Sequence, residues 1–442
     1  MGRQDYKPLI EQIRRRISHW TNLFLSMAGR LQLIASVLMS IANFWMSSFI
    51  LPGECIKEIN SICSAFLWLG PALSLKKAKI SWDIVCLPKR EGGLGLRPLK
   101  EANMVSSLKL IWRLTSQQGS LWAKWVHTYL ICNGNFWAIK ESTSLGAWIW
   151  RKLLKYRDKA KVFHRMEVHS GKSTSFWYDT WSDMGHLYDV VGPRGCIDMG
   201  IRATASVASV FNRQKRAHRV DVLNQIEAVL ENQRLKAVDA EDTPLWKQKE
   251  GTYKNLFSTK RTWHLIRQAA PIVNWHTGIW FQQATPKYAF CTWLALHNRL
   301  TTGDRMITWS SSIDPACIFC QHGIETRNHL FFECVFTAAV WTKLTRGLLG
   351  THFSTNWDSI LSLLVSNTLD CRVRFLVRVV FQTSLLSLWR ERNERRHGST
   401  PTPSASLVKF IDRQVKNKCL SIPVTGNQRL GALLQLWFAS QA

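Results

Sequence analysis

The stretch "CIFCQHGIETRNHLFFEC", from Cys317 to Cys334, holds three cysteines and a histidine at the spacing C-x2-C-x8-H-x4-C. Two cysteines that flank two residues can donate both sulfurs to one ion from a single short turn, and His329 and Cys334 can complete a tetrahedral set. Three thiolates and one imidazole favour zinc among the abundant metals. The spacing predicts one structural zinc ion bound by Cys317, Cys320, His329 and Cys334, with no open position for a reacting water.

The same spacing predicts where the local helix ends. His329 and Cys334 are five residues apart, so on an unbroken helix their side chains would point about 140° from each other. We therefore expect the helix that carries His329 to end or bend near Cys334, and another helix to begin within "FTAAVWTKL". His322 is a rival ligand, although only one residue separates it from Cys320. A redox-active C-x-x-C pair and a chance grouping of core cysteines stay open as alternatives.

The charge of the chain suggests a polyanionic partner. The 442 residues carry 58 Lys and Arg against 30 Asp and Glu, a formal net charge of +28. Such a balance favours RNA or DNA as the partner, while a merely basic soluble protein is the alternative. Residues 311–370 are an exception, because they hold three basic and five acidic residues. We therefore expect the basic flanks of the Cys/His cluster, rather than the cluster itself, to contact nucleic acid.

The pattern of apolar residues predicts a mainly α fold. Helical spacing recurs along most of the chain, with a helix from Lys287 to Leu300 and an amphipathic, basic-ended helix over residues 373–397. The uncharged segment between Arg30 and Glu54 is long enough to cross a bilayer. Its polar residues recur at helical steps, however, which favours a buried amphipathic helix of a soluble protein and no membrane partner. These polar residues are Gln32, Ser36, Ser40, Asn43 and Ser47.

A second basic segment, "RKLLKYRDKAKVFHR" (151–165), has seven Lys or Arg and one Asp, with aromatic residues between them. This pattern suits a phosphate backbone with stacked bases, and a solvated helix face is the alternative. The candidate contacts are Arg151, Lys152, Lys155 and Lys159. Two glycine-containing stretches are interpreted as ordinary turns: "KREGGLGLRPL" (89–99), and "GKST" (171–174), which lacks the first glycine of a phosphate-binding loop.

Several motifs resemble one known family. "SAFLWLG", "KKAKISWDIVCLPKREGGLGLRPLKEAN", "TSFWYDTW" and "PKYAFCTWLALHNRLTTGDRMITW", together with the Cys/His cluster and "LWRERNERR", are similar to the C-terminal half of plant LINE-type (non-LTR) retrotransposon reverse transcriptases. The resemblance includes the family's reverse-transcriptase zinc-binding domain. It implies that Cys317, Cys320, His329 and Cys334 take the zinc-ligand roles, position for position. It also implies that the surrounding module helps to bind template RNA or target DNA.

The sequence departs from that family at the site of catalysis. Reverse transcription needs aspartates that hold two metal ions, one pair of them in a Tyr-x-Asp-Asp hairpin, and no such motif occurs in the sequence. No spread of carboxylates resembles a nuclease site either. We therefore expect no enzymatic activity and no small-molecule substrate. Further nucleic-acid contacts are predicted from charge and position alone at Lys287, Arg299, Arg305, Arg390, Arg392, Arg395 and Arg396.

Composition, periodicity and the resemblance together predict five segments: a helical thumb- or connection-like region (1–115), a Trp-rich basic region (116–190), a linker with a helix (191–250), the zinc-binding domain (251–350) and a helical basic tail (351–442). The predicted function is that of a non-catalytic reverse transcriptase remnant that binds RNA or DNA around a structural zinc module. The alternatives are an accessory part of an RNA-directed DNA polymerase, acting with a palm-bearing chain, or a zinc-stabilised protein-interaction module. Eleven cysteines without a disulfide framework, and no secretory signal, predict an intracellular protein, with the nucleus favoured over the cytoplasm.

Overall fold

The computed structural model describes residues 2–20, 25–73, 78–116, 119–132, 134–141, 146–310, 312–422 and 432–441. Over these residues the fold is mainly α, which confirms the predicted class. Two compact units are present. Unit 1 comprises residues 1–15, 38–60 and 97–269, and unit 2 comprises residues 16–37, 61–96 and 270–442. The division of the sequence into five segments stays a prediction.

The elements of the described chain run as follows. The α-helices up to residue 200 are α1 (Arg3–Ser18), α2 (Met27–Leu33), α3 (Met39–Ser48), α4 (Gly53–Leu69), α5 (Trp82–Cys86), α6 (Leu99–Thr115), α7 (Leu121–Val126), α8 (Trp148–Lys161) and α9 (Leu187–Met199). The later helices are α10 (Val207–Phe211), α11 (Asp221–Leu235), α12 (Thr259–Ile266), α13 (His276–Ile279), α14 (Pro286–Leu296), α15 (Gly303–Met306), α16 (Val335–Leu349), α17 (Trp357–Val365), α18 (Cys371–Arg396), α19 (Ser404–Leu420) and α20 (Leu433–Gln441). The strands are β1 (His164–Glu167), β2 (Thr243–Lys249) and β3 (Thr252–Lys254).

Unit 1 contains a small antiparallel sheet in the order β1-β2-β3, with His164 opposite Trp246. Trp246 is fully buried, and Phe163 stacks on its ring at 5.6 Å. The indole N–H of Trp246 donates to the Thr262 hydroxyl of α12 at 3.0 Å, which gives the polar end of the buried ring its partner. This tryptophan therefore joins the sheet to α12.

The loop that contains "GKST" is organised by an internal carboxylate. The backbone N–H groups of His169 and Gly171 each donate to Asp242 Oδ1 at 2.8 Å, and the Thr174 hydroxyl donates to Asp242 Oδ2 at 2.8 Å. The N–H groups that a phosphate-binding loop would offer to its ligand are thus already occupied. This geometry agrees with the interpretation of the stretch as an ordinary turn.

The segment predicted as a linker with a helix contributes to a core. Helix α11 forms as predicted, and its Leu223, Ile226 and Leu230 are buried in a hydrophobic cluster of unit 1. Strand β2 comes from the end of the same segment. Residues 191–250 are therefore packed structure over much of their length.

Helix α18 lies at the centre of unit 2, where it packs against α14, α16, α17 and α19. Every side chain from Val379 to Leu385 is buried. The prediction of an amphipathic helix is therefore wrong for this part of α18, because neighbouring helices cover it on several sides. Phe381 stacks on Phe332 at 5.7 Å, and Trp341 and Trp357 complete this aromatic core.

Most of the predicted turn at residues 89–99, up to residue 96, is part of unit 2. Gly92 has a φ of +89°, a conformation that glycine adopts without strain. Its carbonyl accepts hydrogen bonds from the Trp293 indole at 2.7 Å and from the His297 ring at 2.9 Å. This turn therefore fixes α14, about 200 residues later in the sequence, by direct hydrogen bonds.

Among the described residues, one helical segment, Met27–Ser48, is long and apolar enough to cross a membrane. The predicted polar stripe of this segment is exposed along its whole length, while Ile34, Leu38, Ala42 and Met46 on other faces are buried. The helix is therefore amphipathic, as predicted. The prediction that it is buried is wrong, because only 28% of its most apolar stretch is buried. The expectation of no membrane partner stays a prediction.

Candidate metal centre

The four predicted ligands come together in unit 2. The ligand atoms of Cys317, Cys320, His329 and Cys334 all lie within 4.8 Å of one another. The sulfurs of Cys317 and Cys334 are 3.9 Å apart, and the Cys320 sulfur lies 3.3 Å from His329 Nε2. A zinc–sulfur distance of about 2.3 Å and a zinc–nitrogen distance of about 2.0 Å give a sulfur–sulfur edge of about 3.8 Å and a sulfur–nitrogen edge of about 3.5 Å. The donor set therefore has the size and chemistry of a closed zinc site.

The first two ligands lie on a tight turn. The Cys317 N–H donates to the Gly323 carbonyl at 3.1 Å, and the Gln321 N–H donates to the Cys317 carbonyl at 2.8 Å. Gln321 and Gly323 adopt positive φ angles of 60° and 72°, which reverse the chain within a few residues. The turn brings the Cys317 and Cys320 sulfurs to the same side. His322, the rival ligand, is exposed and does not belong to the cluster.

The helix break predicted at Cys334 is confirmed. A π-helical turn, His329–Glu333, ends at Cys334, whose extended backbone (φ −66°, ψ 134°) forms the N-cap of α16. The backbone N–H groups of Phe336 and Thr337, in the first turn of α16, lower the pKa of Cys334. Because a helix N-terminus favours negative charge, this position stabilises a thiolate.

The sulfurs of Cys317 and Cys334 are close enough, at 3.9 Å, for one thiol to donate a hydrogen bond to the other. The hydrogen bond between them raises the pKa of Cys317 and lowers the pKa of Cys334. Zinc would hold all three cysteines as thiolates together with a neutral His329, so its binding would release protons. With four protein ligands the ion would cross-link the turn to α16, and no position would remain for a reacting water.

The metal centre is continuous with the core of unit 2. Leu330, Phe331 and Phe332 lie between the last two ligands and are fully buried. The rings of Phe331 and Phe332 contact Trp357, and the Arg327 guanidinium lies over the Trp357 ring at 4.3 Å from its centre. Ligand placement and core packing therefore depend on the same six-residue segment.

A buried ion pair attaches to α18 the loop that carries Cys317, Cys320 and Glu325, which we call the ligand loop. Glu325 is fully buried, and its carboxylate accepts hydrogen bonds from the Arg392 guanidinium at 2.5 to 3.1 Å and from the Gly303 N–H at 3.0 Å. A side chain at Gly303 would meet the Pro315 carbonyl at 2.4 Å, so glycine is required for this close approach. Sequence reasoning missed Glu325. Its position in "ETRNH", inside a block with more acidic than basic residues, was the available signal.

Two further arginines of α18 also contact this loop. The Arg395 guanidinium lies over the stacked rings of Phe319 and Phe336, at 4.9 and 4.5 Å, and donates to Glu391 at 2.7 Å. Arg396 donates to the Asp314 carbonyl at 3.1 Å. These contacts place "LWRERNERR" in the framework of the metal centre.

The predicted nucleic-acid contacts in unit 2 therefore differ in how exposed their side chains are. Arg392 is 3% exposed and ion-paired, so a buried side chain was wrongly included among the surface contacts. Arg395 and Arg396 are half-buried in the contacts described above, and Arg305 donates to the Asn298 carbonyl. The exposed members of the predicted set in unit 2 are Lys287, Arg299 and Arg390.

Helix α8 of unit 1 presents a regular row of cations. Arg151, Lys155 and Lys159 are exposed and recur every four residues, which places them on one helical face about 6 Å apart along the axis. Lys152 is half-buried and lies over the Trp148 ring at 5.6 Å, while Lys159 lies over Tyr156 at 5.4 Å. The opposite side of the helix is buried through Leu153 and Leu154.

The comparisons with known proteins agree with this centre. Residues 257–341, which include the four ligands, match a family described as zinc-binding in reverse transcriptase. A protein of Arabidopsis thaliana, provisionally named as a ribonuclease H protein, is 25% identical over 367 residues, which cover 78% of this chain and 56% of the relative. The chain thus spans little more than half the length of that relative. Together, the match and the relative support a retrotransposon-related protein that contains a reverse-transcriptase type of zinc-binding segment.

Proposed function

We propose that this chain is a non-catalytic remnant of a LINE-type reverse transcriptase, which binds RNA or DNA through basic surfaces while one zinc ion holds the ligand loop in place. The observation that carries the proposal is the closed Cys3His set inside the segment that matches the zinc-binding family. A set with four protein ligands favours a structural role over a hydrolytic one.

The absence of catalysis is supported by the chemistry of the side chains. The sequence has no Tyr-x-Asp-Asp motif. Within the described residues, the Cys3His cluster is also the one group of three or more potential ligands that converges on a point. Two-metal phosphoryl chemistry requires clustered carboxylates, and the part of the chain that the structure describes brings no such cluster together.

The nucleic-acid part of the proposal rests on charge. A net charge of +28 attracts phosphates. The row Arg151, Lys155 and Lys159 offers three cations at a spacing that suits successive phosphates of one strand. Contacts of this kind give affinity with little sequence preference. We expect the α8 row to contribute more to binding than isolated surface cations do.

The first experiment measures binding of the intact, nuclease-treated chain to single- and double-stranded RNA and DNA at several salt concentrations. We expect log K to fall linearly with log salt, and the triple variant R151Q/K155Q/K159Q to reduce the slope by about two to three, because each phosphate contact contributes about 0.7–0.9. A flat response for the unmodified chain would contradict nucleic-acid binding and favour the protein-interaction module.

A matched control separates local contacts from total charge. It removes the same number of positive charges from scattered, exposed positions of unit 1: Arg219, Lys236 and Lys254. We expect this control to change the slope by less than about one. Equal slopes for the two triple variants would show that the α8 row has no special role.

A further inference from the structure

A groove of unit 1 is lined by helices α3, α6 and α12, together with Arg97, which lies just before α6. Its volume is about 280 Å³. Six of its lining residues lie on α6 at helical spacing, and they therefore share one face of that helix: Ala102, Val105, Ser106, Lys109, Leu110 and Arg113. Because an α-helix rises 1.5 Å per residue, this face gives the groove a floor about 17 Å long.

The walls of the groove come from α3 and α12, which both pack against α6. Helix α3 contributes Asn43 and Ser47, and α12 contributes Thr259 and Trp263. The residues of each pair are four positions apart, so their side chains lie on the same face of their helix. The axes of packed helices are about 8–10 Å apart, which leaves room over α6 for one extended strand. A duplex is too wide to enter, since its major groove alone is about 12 Å wide.

The lining of the groove is positively charged. It contains Arg97, Lys109 and Arg113, and it contains no acidic residue. All three cations are exposed, and within the described chain no carboxylate forms an ion pair with any of them. Lys109 and Arg113 are four residues apart on α6, which separates them by about 6 Å along the axis. Because a concave site concentrates the field of like charges, this lining favours an anionic ligand.

An aromatic side chain lies beside these cations. Trp263 is half-buried, and the Arg267 guanidinium lies over its ring at 4.8 Å. Indole rings and guanidinium groups are the surfaces on which the bases of a single strand stack. Asn43 and Thr259 add groups that can form hydrogen bonds with sugars or bases. An acidic peptide would use the cations alone, so the combination of charge and ring favours nucleic acid.

We propose that this groove binds a short single-stranded segment of RNA or DNA, with its phosphates on Arg97, Lys109 and Arg113 and a base beside Trp263. The floor is long enough for about three phosphates at the 6 Å spacing of the two α6 cations. The proposal rests on the nucleic-acid binding proposed above, and it adds a site that distinguishes single strands from duplexes. The row on α8, by contrast, lies on an exposed helix face that a duplex can reach as well. Asn43 and Ser47 belong to the polar stripe of Met27–Ser48, so the groove gives that end of the stripe a function.

The variant R97Q/K109Q/R113Q tests the charge of the groove. Fluorescence anisotropy compares its binding to a labelled single strand and to the corresponding duplex over a series of salt concentrations. We expect the slope of log K against log salt to fall by about two for the single strand, because three contacts contribute about 0.7 each. The slope for the duplex should change by less than about one.

Two other triple variants serve as comparisons on the same ligands. R151Q/K155Q/K159Q, in the α8 row, should lower the slope for the single strand and the duplex alike. R219Q/K236Q/K254Q, at scattered exposed positions, should leave the preference for the single strand unchanged.

A steric variant separates the groove from its charge. Ser47 is exposed on the wall, so S47W should leave the fold intact and fill the groove without a change of charge. We expect S47W to bind the single strand at least about tenfold more weakly, through the loss of one stacked base, and the duplex within about twofold. The matched control is S40W, because Ser40 is exposed on α3 two turns before Ser47 and does not line the groove. It should keep both affinities within about twofold.

The outcomes separate this site from the proposed function. If the unmodified chain binds nucleic acid, but R97Q/K109Q/R113Q and S47W weaken single strand and duplex equally or not at all, the groove is not the site. No binding of the unmodified chain to any nucleic acid would contradict the proposed function itself. Equal competition by polyglutamate of the same charge would overturn the assignment in favour of an acidic peptide.

Discussion

Removal of zinc, or the substitution Cys317→Ser, is expected to abolish the cooperative folding of unit 2. Cys317 is fully buried and its sulfur lies 3.9 Å from that of Cys334, so the variant loses a ligand in a closed site. Structural zinc contributes about 10–16 kcal/mol of binding free energy in small zinc peptides, as much as the whole stability of a typical domain. Elemental analysis of the purified protein should give about one zinc per chain, and Cys317→Ser should lower this to background with a loss of helical circular dichroism.

Two variants control for the removal of any cysteine or histidine. Cys132 is an exposed cysteine of unit 1, and Cys132→Ser should keep its zinc and its melting curve. His322 is exposed and does not belong to the cluster of ligands, although it lies on the turn that carries Cys317 and Cys320. His322→Ala should therefore keep the metal, while His329→Ala should lose it. Full zinc occupancy in Cys317→Ser would show that the ligand set is wrong. Loss of zinc in His322→Ala would point to the rival ligand.

The substitution Glu325→Ala is expected to lower the free energy of unfolding of unit 2 by about 3–5 kcal/mol. The Arg392 guanidinium is 3% exposed, and it would remain buried without its partner carboxylate. Desolvation of an unpaired charge is the main cost, and the Gly303 N–H would lose its acceptor as well. Chemical denaturation of the zinc-loaded protein, followed by tryptophan fluorescence, measures the change.

An exposed pair on the same helix gives the matched comparison. Arg390 and Glu394 form an ion pair at the surface of α18, so Arg390→Ala should cost less than about 1 kcal/mol. Replacing both buried partners with apolar residues of similar volume, as in Glu325→Leu with Arg392→Met, should recover much of the stability that Glu325→Ala loses. If Glu325→Ala costs no more than Arg390→Ala, water reaches the buried pair and the argument from desolvation fails.

The parts of the structure that the sequence could predict are those that depend on local geometry. The break at Cys334 followed from five residues of separation and the pitch of a helix, and it is confirmed. The helix predicted from Lys287 is confirmed as α14, although it ends at Leu296 rather than Leu300. The mainly α class is confirmed as well, because helical periodicity is visible in short windows of sequence.

The parts that escaped prediction depend on residues far apart in the chain. Glu325 and Arg392 are 67 positions apart, and Asp242 lies about 70 positions from the loop that it organises. No periodicity marks such pairs, so Arg392 could be interpreted only as one more cation in a basic tail. The burial of α18 on several sides was likewise hidden, because it depends on which helices pack against it.

The contacts around the metal centre have a consequence for how such segments are inherited. The stretch shared with the zinc-binding family ends at Trp341. Arg392, the counter-ion of Glu325, and Phe381, whose ring stacks on Phe332, both lie beyond that limit. Gly92, whose carbonyl accepts from the Trp293 indole, lies well before the start of the stretch at residue 257. A fragment limited to residues 257–341 would contain all four ligands. In it Glu325 would lack its counter-ion, and the aromatic core would lack Trp357 and Phe381. The short stretch with the ligand spacing can therefore stay folded only if a much longer part of the chain is inherited together with it. Recombination inside residues 90–392 should destabilise the protein even where it changes none of the ligands.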